Sequence, residues 1–156
     1  EFGAADQVFS KGAVLGLGEE TVINVGREKL FPMESIFSLS RNDDVPQDQI
    51  GVGLEDEKIL ILAAGTTFEK IHRLRGSRAG KSLLFNSIYL PAVMGVLSSL
   101  REDSSVYEDK RWNRIFVAKA QHLGINLQNG DVLEAAQKLL KSPFGRMQGE
   151  KELRYV

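Results

Sequence analysis

Lys58-Ile59-Leu60-Ile61-Leu62-Ala63 places five apolar residues in succession straight after the acidic turn Glu55-Asp56-Glu57. A strand whose side chains alternate between two faces can be apolar throughout only where both faces are covered. This one is therefore expected at the centre of a sheet with helices over it. Upstream, Ile50 to Leu54 completes a hairpin across the acidic turn. Earlier still, Ser35-Ile36-Phe37-Ser38-Leu39-Ser40-Arg41 puts Phe37 and Leu39 on one face and Ser38 and Ser40 on the other, the pattern of a half-buried strand. The polar loop Asn42 to Asp48 ends it. Val22-Ile23-Asn24-Val25 is a further candidate strand. A Gly-Leu, acidic turn and strand recur at Gly16 to Ile23 and Gly53 to Leu60, and shared turn chemistry accounts for the echo.

Downstream the apolar period becomes helical. Thr66 with Glu69 fits a capping box, opening a helix through Ile71 and Leu74 that ends near Gly76. Leu83 to Leu100 holds 18 residues without a charge, near the lower limit for a membrane span. Asn86, Ser87, Pro91, Gly95, Ser98 and Ser99 interrupt it, so a buried helix kinked at Pro91 and packed on Ile59 to Leu62 is expected, with no membrane role. A third helix, Glu108 to Leu123, carries Trp112, Ile115, Phe116, Ala120 and Leu123 on one stripe and stops at Gly124. Asp131 with Glu134 caps a fourth, with Val132, Leu133, Ala136, Leu139 and Leu140 apolar, ended by Ser142-Pro143. Gly145 to Val156 is charged and weakly patterned, the expectation for a mobile tail. The expected fold class is α+β: an antiparallel β-rich N-terminal half, residues 8–64, packed against a C-terminal bundle of about four helices, residues 66–142, in one domain spanning 1–156.

At 156 residues and 42% hydrophobic, the chain can bury a sizeable core, which excludes global disorder. With no cysteine, disulfide scaffolds, zinc ribbons, thiol nucleophiles and iron–sulfur clusters are excluded too. The chain opens Glu1-Phe2-Gly3-Ala4, without Met or a leader pattern. A cytoplasmic piece of a longer bacterial or phage-type protein is the expectation. The net charge of -1 conceals a division: residues 1–64 hold 12 acidic and 5 basic residues, a balance of -7, while residues 65–156 hold 9 and 15, a balance of +6.

Gly76-Ser77-Arg78-Ala79-Gly80-Lys81-Ser82 resembles the end of a phosphate-binding P-loop, but Arg75 stands where the first glycine is needed and a helix precedes it instead of a strand. A Gly-rich turn between two helices explains the same residues. Lys70, Arg73, Arg75, Arg78 and Lys81 make the neighbourhood basic, with His72 among them, and they could meet successive phosphates. Only Phe68 and Phe85 offer rings nearby, which argues against sequence-reading of single strands. The alternative for these cations is a solvated helix face answering the acidic turn around Glu55. A second basic group, Lys110, Arg111, Arg114 and Lys119, surrounds Trp112, itself expected in the core. Asp48 with Asp56-Glu57-Lys58 offers the acid and acid-x-Lys arrangement of a metal-dependent nuclease, although the second group looks like an exposed hairpin tip. His72 and His122 fit no metal spacing, and no nucleophile elbow or dinucleotide fingerprint is complete.

These residues carry no set of motifs specific to one family. The leading expectation is a non-enzymatic protein–protein interaction or assembly module, with a protein partner or a second copy as its ligand, and with no cofactor or metal. Nucleic-acid binding through segment 70–81, with Arg111 and Arg114, is the first alternative, and the nuclease the second. Basic groups facing outward together would favour nucleic acid, whereas pairing with Glu55, Asp56 and Glu57 would remove it.

Overall fold

The computed structural model describes residues 32–146. Of these, 57% are helical and 11% lie in strands, so the fold is mixed α and β with a small sheet, and the expected β-rich N-terminal half is not confirmed. The candidate strand at residues 22–25, the rest of residues 8–31 and the tail beyond residue 146 lie outside the described residues.

Three strands form one sheet, β1 (Phe37–Arg41), β2 (Gly51–Gly53) and β3 (Ile59–Ala63), in the order β1-β3-β2. The hairpin forms as expected, with Val52 opposite Ile61 and Gly51 opposite Leu62. β3 is central; Ile59, Ile61 and Ala63 on one face are buried, while Leu60 and Leu62 on the other are only half-buried, so the expected cover on both faces is incomplete. The expectation of a purely antiparallel sheet is corrected: β1 lies parallel to β3, with Phe37 beside Ile59 and Leu39 beside Ile61. The 17 residues between Arg41 and Ile59, with β2 among them, give the chain length enough to return before β3 begins. β1 is also shorter than expected, because Met33–Ile36 forms a 3-10 turn after Pro32.

Helix α1 (Gly65–Leu74) follows β3 directly. Its start differs from the capping box read in the sequence. The Thr66 hydroxyl donates to Gln47 Oε1 at 3.0 Å, while the Gly65 N–H donates to Asp43 Oδ1 at 3.2 Å, so the loop after β1 supplies the cap. Arg41 hydrogen-bonds the Asp43 carboxylate and, with the Gly65 N–H, holds its pKa below the ordinary range. A carboxylate depressed in this way stabilises the fold above its unfolded pKa and loses that contribution as pH falls through the folded value. Acidification below the usual carboxylate range is therefore expected to reduce amide-exchange protection at Gly65 before the middle of α1. The Asp43→Asn variant should lack that pH dependence, and constant protection at Gly65 in the parent chain would contradict the cap.

Helix α2 (Arg78–Glu102) is the longest, and contains a π-helical turn at Phe85–Tyr89 where the Leu90 N–H reaches back to the Phe85 carbonyl. The turn lies directly upstream of Pro91, where the sequence leads one to expect a kink. Proline lacks an N–H and its ring crowds the carbonyl four residues earlier, and the widened turn just upstream takes up that conflict. By length and apolarity α2 is able to cross a membrane, and half of its apolar stretch is buried within the fold. Its first part meets the sheet, where Leu84, Ile88 and Tyr89 gather around Leu39 and Ile61. Its second part buries Val93, Val96, Leu97 and Leu100 and packs on α4.

Helix α3 (Arg111–His122) starts three residues later than expected, after a 3-10 turn at Ser105–Tyr107. Trp112 is fully buried, its Nε1–H donates to the Leu54 carbonyl at 3.1 Å, and Tyr107 and Phe116 pack on its ring. Asp131 caps α4 (Val132–Leu139) by accepting the Glu134 N–H at 2.7 Å. Leu123 and Leu133, placed on apolar stripes by sequence, are instead exposed. Leu133 sits at the edge of its helix's buried face, whereas Leu123 follows the last residue of α3, where the chain leaves the helix and the stripe ends.

Candidate nucleic-acid interface

The fold presents segment 70–81 as a helix–turn–helix corner. Thr67 and Ile71 face the core from α1, which leaves Lys70, His72 and Arg73 exposed on the other side. Arg75-Gly76-Ser77 makes the turn, and Ser77 Oγ accepts the Gly80 N–H at 2.9 Å to cap α2. Arg78 and Lys81 then emerge exposed from the first turns of α2. Gly80 itself is buried, because α1 and α2 touch there: a Cβ at Gly80 would stand 2.2 Å from the Leu74 carbonyl oxygen. The near-P-loop is thus a capped turn between two helices.

The exposed cations have identifiable neighbours. Lys70 Nζ lies 3.1 Å from Asp48 Oδ1, and Asp48 is fixed by donating its N–H to Thr67 Oγ1. Both ends of that pair are largely exposed, so it contributes little stability and yields readily to a competing anion. Arg75 reaches over the β1 and β3 surface towards Tyr89. Burial raises the Tyr89 hydroxyl pKa, and the Arg75 charge opposes that shift. Glu57, in the acidic turn, accepts the backbone N–H of Arg111 at 3.1 Å and so anchors the start of α3.

Arg111 and Arg114 are exposed on the first turn of α3, a separate element from the corner. Lys119, grouped with them in sequence, is buried. Burial pushes its pKa down, Lys141 adds to the shift, and Glu34 opposes it. The residues of the nuclease arrangement are divided: Asp48 is tied to α1, whereas Asp56 and Lys58 lie on the turn between β2 and β3. Among the described residues, no three His, Cys, Asp or Glu side chains gather to hold a metal.

No known protein family, curated protein or solved structure matches this chain. Its own geometry therefore carries the functional argument.

One feature of the corner does not show in its charge pattern. Phe68 and His72, one turn apart on α1, hold their rings 19° from parallel with centroids 6.2 Å apart. The signal was their i, i+4 spacing, which lay hidden inside a run read for charge. Phe85, the other ring considered, is buried with 6% exposure. A larger groove of about 430 Å³ lies elsewhere, between α3 and residues 125–128, and Asn113 is among its lining residues. The Asn113 Oδ1 is buried without a hydrogen-bond partner among the described residues.

Proposed function

We propose that the chain binds the phosphate backbone of a nucleic acid through the α1–α2 corner. The observation that supports this above all is the exposure of Lys70, Arg73, Arg75, Arg78 and Lys81 on two consecutive helices and the turn between them. Glu69 is the only acidic residue from 69 to 81, so the corner is strongly positive although the chain is close to neutral. Cations at this density displace condensed counterions from a phosphate backbone, and affinity then falls steeply with salt. Arg111 and Arg114 extend the basic surface only if the backbone also reaches the start of α3.

Fluorescence anisotropy of labelled nucleic acid across a salt series tests the proposal. Binding should be saturable, and the slope of log affinity against log salt should be shallower by about 2 to 3 in the triple variant Arg73→Ala, Arg75→Ala, Arg78→Ala. An absence of binding at low salt, or an unchanged slope in the variant, would overturn it.

A second proposal, the assembly module, draws on different residues. Leu83 is 51% exposed and Phe144 is 66% exposed. Asn86, one turn after Leu83, donates to the carbonyl of Pro143 at 3.4 Å, which brings the two apolar side chains to one region of the surface. Concentration-dependent sedimentation abolished by Leu83→Ser with Phe144→Ser would favour that function over nucleic-acid binding.

A further inference from the structure

We infer that the nucleic acid bound at this corner is single-stranded, with its bases stacking on the Phe68–His72 pair; the inference rests on the phosphate-binding proposal above. Phe68 is half-buried and packs against the core, so its ring is held in place before any ligand arrives. His72 stands exposed one turn later and nearly parallel to it. With Glu69 and Arg73 these two rings line a shallow, largely apolar groove of about 290 Å³. Every base has a π-face, so such a platform accepts unpaired bases irrespective of sequence. In a duplex those faces are already stacked and unavailable to it.

The charged neighbours set the strand's orientation. Arg73 lines the same groove as the rings, suited to a phosphate that flanks a stacked base, whereas Lys70, two residues from each ring, points away from them to Asp48. Glu69 also lines the groove; a carboxylate repels phosphate and accepts from base amino groups, which turns bases rather than backbone towards the rings. The few rings near the segment argue against sequence-specific reading of single strands, and a stacking platform needs no such reading. That count of rings includes Phe85, which is buried, and leaves out His72.

The test compares four labelled ligands by anisotropy at one salt concentration: single-stranded DNA, single-stranded RNA, a duplex of equal length, and an abasic strand that keeps the phosphates without the bases. Single strands should bind about tenfold more tightly than the duplex and the abasic strand, the scale of one stacked base. His72→Ala and Phe68→Leu should each reduce that preference while leaving duplex affinity and the salt slope unchanged. The abasic arm needs no variant, so a folding defect in Phe68→Leu leaves the result readable. Equal binding of intact and abasic strands with a steep salt slope would overturn this inference and retain phosphate binding. No binding of any ligand would overturn both.

Discussion

Gly80→Ala is expected to destabilise the chain by roughly 3 kcal/mol, at the upper end of what overpacking costs. The added Cβ would stand 2.2 Å from the Leu74 carbonyl oxygen, 2.7 Å from Ser77 Oγ and 2.8 Å from the Leu74 carbonyl carbon. Two of those three atoms are backbone, so no rotamer change relieves the contact and the end of α1 must move away from α2. That movement would also break the Ser77 cap, whose acceptor Oγ is the third atom. Gly95 supplies the control within the same helix. It is exposed, and a Cβ there meets nothing within 4 Å, so Gly95→Ala should stabilise by about 0.5–1 kcal/mol through helix propensity alone. Urea unfolding of the two variants should give shifts of opposite sign. A Gly80→Ala loss below about 1 kcal/mol would mean that the α1–α2 corner is looser than described.

Trp112→Ala should cost about 3–5 kcal/mol, as other large aromatic truncations in cores do. The more informative variant is Trp112→Phe, which keeps a ring against Tyr107 and Phe116 but removes the donor to the Leu54 carbonyl. Leu54 is buried, so its oxygen would be left without a partner, a loss of about 1–3 kcal/mol. Trp112 is the only tryptophan, so unfolding of both variants should be followed by far-UV circular dichroism. If Trp112→Phe falls within about 0.5 kcal/mol of the parent, the hydrogen bond contributes nothing net and ring packing alone holds α3 to the hairpin.

Much of this architecture could be read from local pattern. The double-sided apolarity of Ile59 to Ala63 identified the central strand, Asp131 with Glu134 marked the start of α4, and Trp112 was assigned to the core. What escaped was set by partners distant in sequence. Alternation in Ser35 to Arg41 says which side chains share a face but not which strand lies alongside or in which direction, so the parallel pairing of β1 with β3 was hidden. Thr66 and Glu69 had the local spacing of a capping box, yet Asp43, 22 residues before Gly65, took the position. The basic segment was legible as a charge run, and its exposure follows from the burial of Thr67 and Ile71. That Lys70 would meet Asp48 and not the acidic turn depended on the loop after β1, which no helical or strand period encodes.

The π-helical turn at Phe85–Tyr89 also puts α2 out of phase with itself. On a helical wheel one residue corresponds to about 100°, and the extra residue in that turn rotates everything after it by that amount relative to everything before. With Leu84 at 0° on a regular wheel, Ile88 would lie at about 40° and Val93, Val96, Leu97 and Leu100 between about 120° and 220°, on the opposite side. Taking out about 100° brings the second group to between about 20° and 120°, alongside the first. The extra residue thus gathers two apolar runs that the sequence spaces out of step onto one continuous buried side of a single rod.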